Sequence, residues 1–383
     1  MELSAGRGRR WIARVAAFVV LVSTVLGAAV VRDAPGTAVP PSKRPMIVYY
    51  APGHETEVSR LHASTVGQQS VVTVKNDSAI RQVTFYLDEP AASGNVYAVD
   101  RKAPFVLARK GGQGKRAFTL GNHTLQADLE LRNGRHARLK IAYSVALSLE
   151  IPSTVAASDL QRSIESMAPG PVLVHPPPGT ASFGVDGGLV LKRAGVMLQG
   201  AQVAGTIDFD PGSDGSSFVG GSAHGFGIFG ADDITIRGSS FDGQGLVKDS
   251  QIWDEPAGAA PDRFKIIGNT FQNFYIGEGS DVHSQAIFVG YSTDGLIEGN
   301  RFTNNGTTSH IFLSWFGTEA DPAESYPRNI CIRDNTFGPT HGAFSAVNLR
   351  REIPLSSGIS VDPSNVLQRG VGLLSDDRFA RSC

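Results

Sequence analysis

Between residues 196 and 337 apolar and polar positions alternate in five similar octets. They are Val196-Met-Leu-Gln-Gly-Ala-Gln-Val203, Ile234-Thr-Ile-Arg-Gly-Ser-Ser-Phe241, Phe264-Lys-Ile-Ile-Gly-Asn-Thr-Phe271, Gly295-Leu-Ile-Glu-Gly-Asn-Arg-Phe302 and Ile330-Cys-Ile-Arg-Asp-Asn-Thr-Phe337. The first, third and eighth positions are mostly apolar and the second and fourth mostly polar, an alternation that fits a half-buried strand rather than a helix. A turn follows, with Gly or Asp fifth and Asn or Ser sixth, residue types that tolerate positive φ. The octets start 38, 30, 31 and 35 residues apart, a repeat period and not a hairpin spacing. A second apolar strand precedes each later copy: Phe226–Phe229, Ser250–Trp253, Ala286–Val289 and His310–Leu313. Such short strands cannot bury a face alone, but coils stacked at ~4.8 Å can.

The repeated Ile-x-Gly-Asn-x-Phe and the column Ser239, Asn269, Asn300, Asn335 resemble right-handed parallel β-helix proteins of the pectate-lyase-like superfamily, over roughly residues 152–349. The resemblance implies an asparagine ladder inside the turn, each amide bonding its neighbour in the next coil. It also implies that activity, where there is any, lies on an outward strand face in a groove between loops. Ser158–Met167 places Leu160, Ile164 and Met167 on one side of a helix led by a Ser158 cap. Pro169-Gly170 stops it before Val172-Leu-Val174, and this order resembles the entry to many β-helices, where the helix covers the open end of the stack.

Upstream the pattern changes. Short strands separated by turn residues, such as Ser70–Val74, Val83–Leu87 and Thr124–Leu129, read as a β-sandwich over residues 46–150. Val83-Thr-Phe-Tyr-Leu-Asp88, Ala103-Pro-Phe-Val-Leu107 and Gly121-Asn-His-Thr-Leu-Gln-Ala127 resemble bacterial immunoglobulin-like modules that accompany secreted carbohydrate-active domains. His123 begins the matching strand, which gives it a structural role. Residues 32–45 are a proline-rich linker. Arg7, Arg9, Arg10 and Arg14 precede an uncharged run from Val15 to Val31, so residues 1–31 read as a signal peptide or a retained membrane anchor. The expected organisation is therefore all-β. A signal or anchor segment and a linker lead into an immunoglobulin-like sandwich, and residues 151–383 form a right-handed parallel β-helix with a capping helix and a C-terminal tail. The body is exported to the surface or medium, and any membrane contact is through the N-terminal segment.

Composition narrows the partners. The 383 residues carry a formal net charge of −1 with interspersed charges, which excludes nucleic acid as an expected partner. The 44 glycines are spread among turns, as a solenoid requires. Two cysteines exclude a disulfide-dense scaffold and a cysteine-rich zinc site. Cys331 takes the outward second position of its octet, between inward Ile330 and Ile332, within reach of a tail ending at Cys383. In an exported chain these two are expected to pair.

Aligning the second strands on Ile228, Ile252, Ile287 and Ile311 puts Phe229, Trp253, Phe288 and Phe312 in the next column. With the isoleucines inward the aromatics form an outward ladder suited to sugar rings. The alternatives are that loops 253–263 and 314–329 lie over them, or that the phase is reversed and they are core. Four residues before those isoleucines stand His224, Lys248, His283 and Thr307. Asp281-Val-His-Ser-Gln-Ala-Ile287 resembles a His-x-Asp-Ala-Ile pattern of exported β-helix proteins, departing from it at Gln285 where an acid is expected. His283 is the candidate base, with Lys248 or Asp281 beside it; the alternative is a histidine bonded to a turn backbone. Family lyases often hold calcium in clustered carboxylates, and the second strands carry no such cluster, so no cofactor or metal is expected; calcium enters only through the resemblance. For a hydrolase, Asp254, Glu255, Asp281 and Asp294 are available without a spacing that singles out a pair. Two readings stand: an exported polysaccharide lyase or hydrolase, or a non-catalytic surface protein that binds glycan or serves as a rigid stalk.

Overall fold

The structure is a computed structural model. It describes residues 18–20, 46–50, 59–60, 71–75, 79–88, 96–101, 105–107, 120–177, 179–246, 249–253, 260–274, 284–303, 305, 309–314, 326–339, 345–368 and 372–383. From Val172 onward the chain winds through three parallel sheets in turn, a β-helix-like stack. The first sheet holds strands such as Val196–Gln199 and Cys331–Arg333, the second Ser240–Asp242 and Arg301–Thr303, the third Gly225–Phe229 and Gln285–Val289. Each strand pairs in parallel with its counterpart one coil away, as Ile236 with Ile266 and Phe271 with Phe302.

The apolar octet positions are the core. Val196, Ile234, Phe264 and Ile330 at the first position are fully buried, as are Leu198, Ile236, Ile266, Ile297 and Ile332 at the third. At the eighth, Phe241, Phe271, Phe302 and Phe337 stack at 5.1, 5.0 and 4.9 Å between centroids, with planes within 21°. Gly295, the exception at the first position, is matched by its neighbour: a Cβ there would strike the Phe264 ring. The fifth residue of the octet is left-handed in every coil where it is found, from Asp334 (φ 55°) to Gly200 (φ 71°). A second left-handed column precedes the octet at Asp233, Arg263, Asp294 and Asn329.

The sixth position forms a hydrogen-bonded ladder. Asn269 Nδ2 donates to Asn300 Oδ1, Asn300 Nδ2 to Asn335 Oδ1 and Asn335 Nδ2 to Asn365 Oδ1, each at 3.0 Å. Each Oδ1 also accepts the backbone N–H of its predecessor, and each Nδ2 donates to a strand carbonyl such as Ile266 O at 2.8 Å. Ser239 begins the ladder through its N–H to Asn269 Oδ1 at 2.9 Å. These bonds satisfy polar backbone that the tight turn leaves inside the coil.

Strands at Val172–His175 and Ser360–Val361 extend the stack at both ends, and the 38-residue gap between the first two octets contains a further coil, Ser217–Val219 with Ser222–Ala223. One expectation is corrected. The helix starts at Ala157, with Ala156 at its N-cap and no side-chain cap, because Ser158 already lies within the first turn. Its other end is tied instead by Arg193, whose guanidinium donates to Ile164 O (2.6 Å), Met167 O (2.9 Å), Ala168 O and Gly170 O (2.9 Å). The helix buries Ala157, Leu160 and Ile164 against the first coil. The first sheet also does not stop where the stack begins. His136–Glu150 pairs in parallel with Val172–His175 on one edge and antiparallel with Gly121–Leu131 on the other, so one sheet runs through both parts of the chain.

That antiparallel part continues to Ile80–Leu87 and Ala98–Asp100, and a four-stranded sheet contains Met46–Tyr50, Val71–Lys75 and Phe105–Val106. Ile47, Val74 and Phe105 join Val83, Phe85, Leu125 and Tyr143 in the buried core. His123 is 8% exposed with its Nδ1 2.7 Å from Asp88 Oδ2, and Asp88 Oδ1 accepts Thr124 N–H, a brace rather than a reactive arrangement. Of the apolar N-terminal run only Phe18–Val20 is described, antiparallel to Ala146–Ser148. No helix among the described residues is long and apolar enough to cross a membrane. At the far end Leu374 and Ala380 bridge the last strands, Phe379 is fully buried, and a disulfide joins Cys331 to Cys383 with Cα atoms 5.7 Å apart.

Candidate functional site

The outer face of the third sheet carries the aromatic residues. Ile228, Ile252, Ile287 and Ile311 are fully buried on its inner face, and Phe229, Trp253, Phe288 and Phe312 stand on the other. The four do not share one column, however. Phe229 pairs with Trp253, but the next register is Gln251 with Phe288 and Ile252 with Val289, so Phe288 and Phe312 form an adjacent column two residues along. The rings still touch, edge to face: Trp253 to Phe288 at 6.1 Å and Phe288 to Phe312 at 6.0 Å. Phe288, between two rings, is only 6% exposed, whereas Phe229, Trp253 and Phe312 are half-buried.

Two glycines let these rings lie against the sheet. A Cβ on Gly290, which follows Ile252's partner Val289, would meet Trp253 at 3.2 Å and Phe288 at 3.3 Å. A Cβ on Gly227 would meet the Phe229 ring and, at 2.7 Å, a carboxyl oxygen of Asp208. Asp208 was not singled out by sequence reasoning, although the alternation in Thr206-Ile-Asp-Phe-Asp210 carries the signal: Ile207 and Phe209 are fully buried, so Asp208 and Asp210 face outward. Desolvation, and then the neighbouring Asp210, pushes the Asp208 carboxyl up to about 6, against bonds from Thr206 and the Gly227 N–H. Asp210 has a cation, Lys192 Nζ at 3.5 Å; among the described residues Asp208 has none. Gln251, between the aromatic columns and Gly227, donates from Nε2 to Asp249 Oδ1 at 3.0 Å.

The residues expected to carry chemistry, Lys248, Asp281 and His283, lie outside the described residues, as do Asp254 and Glu255. The observed register moves the column assigned to them. Four positions before Val289, the true partner of Ile252, stands Gln285, which pairs with Ser309; both are buried. His224 is half-buried at a turn, its N–H donating to Gly205 O at 2.7 Å. Asp294 is a left-handed turn residue that accepts Asn329 Nδ2 at 2.9 Å. Asp232, Asp233 and Asp262 are gathered around Arg263, a turn brace. No group of three or more His, Cys, Asp or Glu among the described residues is placed to hold a metal ion.

One further histidine is built into the interior. His310 is fully buried against Phe302 and Phe337; its Nε2–H donates to Gly338 O at 2.9 Å and its Nδ1 faces Asn305 Nδ2 at 3.4 Å. Desolvation lowers its pKa to about 4, with the Gly338 bond opposing, so the ring is neutral near pH 7. It packs the coil and has no access to a ligand.

Comparison with models of known protein families, with curated proteins and with solved structures finds no match to this chain.

Proposed function

We propose that this is an exported or surface-anchored protein that binds polysaccharide along the outer face of its third sheet. The observation that carries the reading is the contacting row in which half-buried Trp253 and Phe312 flank buried Phe288, on a strand face whose inner side is fully packed. Soluble chains rarely leave a contiguous aromatic patch without use, and flat ring edges and faces suit the apolar faces of sugars. Sequence resemblance to pectate-lyase-like β-helices and to an immunoglobulin-like module over residues 46–150 supports the same reading. The basic, then uncharged, segment before residue 32 and the disulfide between Cys331 and Cys383 support export to an oxidising compartment.

Cleavage is a separate proposal, resting on His283 with Asp281 and Lys248 as base and neighbours. The experiment is a screen of the purified chain lacking residues 1–31 against a polysaccharide panel. Retention in affinity electrophoresis reads binding; unsaturated product in the ultraviolet reads lyase activity and new reducing ends read hydrolysis. Retention without product identifies a binding protein. Product that disappears in His283→Ala identifies an enzyme. Neither retention nor product on any polysaccharide refutes the proposal.

A further inference from the structure

The glycan face is not electrically neutral. Next to Phe229 the Asp208 carboxylate is half-buried and bonded to Thr206 and the Gly227 N–H, with no cationic partner among the described residues. Asp210, two residues on along the same face, is already balanced by Lys192. Asp249, held by Gln251, adds a further carboxylate beside the aromatic columns. Arg350 follows Val347–Leu349, the last strand of this sheet, at the end away from Asp208. A polyanionic sugar chain laid along the aromatics would run into the Asp208 carboxylate, and like charge juxtaposed at an interface is a strong term against a partner. A protonated amine would meet Asp208 at low local dielectric, beside a ring that stacks on the sugar's apolar face.

Building on the glycan reading above, we propose that the ligand of this face is an amine-bearing polysaccharide, a hexosamine polymer with free amino groups, and that Asp208 receives the ammonium. Phe229 and Gly227 fix the carboxyl: the glycine leaves room for both the ring and the Asp208 oxygen, and any side chain there would displace them. Trp253 and Phe312 then supply the stacking platform across the strands, on successive coils away from the charge.

The test compares dissociation constants of a short glucosamine oligosaccharide, its fully N-acetylated form and a uronic-acid oligosaccharide, by calorimetry on the parent chain, Asp208→Asn, Asp208→Ser and Trp253→Ala, each checked for folding by thermal melt. The expected result is binding of the amine form about tenfold tighter than of the N-acetylated form, no measurable uronate binding, and a ratio that falls to about one in both Asp208 variants. Equal or tighter binding of the N-acetylated form overturns the assignment, as does a preference that survives both Asp208 variants or a preference for uronate. In those cases the glycan reading still stands if Trp253→Ala weakens whichever sugar binds. If no sugar binds in a Trp253-dependent way, both fall.

Discussion

Asn300 shows how much one side chain carries in this architecture. Its Oδ1 accepts from Asn269 N and Nδ2, and its Nδ2 donates to Ile266 O and Asn335 Oδ1, all within 3.0 Å and out of solvent. Asn300→Leu keeps the volume but leaves polar groups of two neighbouring coils unpaired, so it costs about 1–3 kcal/mol, read from urea unfolding midpoints. A buried histidine and a half-buried carboxylate set a second expectation. His310 is lowered to about 4 in the fold against an ordinary value near 6.5, so the unfolded chain binds the extra proton between those values. Its share of stability is complete above about pH 6.5 and is lost as pH falls toward 4, roughly 3 kcal/mol in all. Asp208 works in the opposite sense: raised to about 6, it is protonated in the fold first, so its share is present at low pH and is lost as pH rises through 6. The slopes of these two groups therefore oppose each other over this range, while His175, also lowered by burial, adds to the His310 sense. In Asp208→Asn the His310 slope is unmasked, and denaturant midpoints climb from pH 4 to 6.5; a profile unchanged from the parent would remove one of the two assignments.

At the scale of the coil, packing depends on neighbours complementing each other and not on each octet being perfect. Phe264 fills the space over Gly295, and the Phe241–Phe337 stack ties successive turns. The terminal coils lack a neighbour on one side, and the tail provides it: Leu374 and Ala380 continue two sheets, Phe379 fills the end, and the disulfide holds the tail there. Cys383→Ser removes a cross-link spanning 52 residues, for which chain-entropy reasoning gives about 4 kcal/mol. The expected outcome is a lower unfolding midpoint under oxidising conditions and none of that difference once both proteins are reduced. The same complementarity explains what could be read from sequence. Five octets were legible because Gly, Asn and Phe recur at fixed spacing. The coil at Ser217 was hidden because Gly221 and Ala223 stand where Asn and Phe stand elsewhere. Asn365 was missed because Asp362-Pro-Ser364 adds a residue before it, although the ladder bond forms all the same. The aromatic face was legible in composition but not in register: a shift that pairs Ile252 with Val289 splits one expected column into two. Asp208 escaped because its strand lies in the 38-residue gap between the first two octets, outside any repeat, and its environment is created by Phe229 one coil away.

For the whole molecule, one sheet continues from the antiparallel part through His136–Glu150 into the stack, which couples the two mechanically. That makes a stiff support for a face of rings whose inner side is closed by buried Ile228, Ile252, Val289 and Leu313. A rigid platform loses little conformational freedom on binding, the condition under which a few aromatic contacts give usable affinity. The most direct test of the account is calorimetric titration of the polysaccharide fragment selected by the panel into three proteins: the parent, Trp253→Ala, and Val366→Ala, which trims an apolar residue 54% exposed on the second sheet. The account predicts that Trp253→Ala binds at least tenfold more weakly, about 1.4 kcal/mol, with an unchanged melting profile, and that Val366→Ala binds as the parent does. Unaltered affinity in a folded Trp253→Ala protein would contradict it.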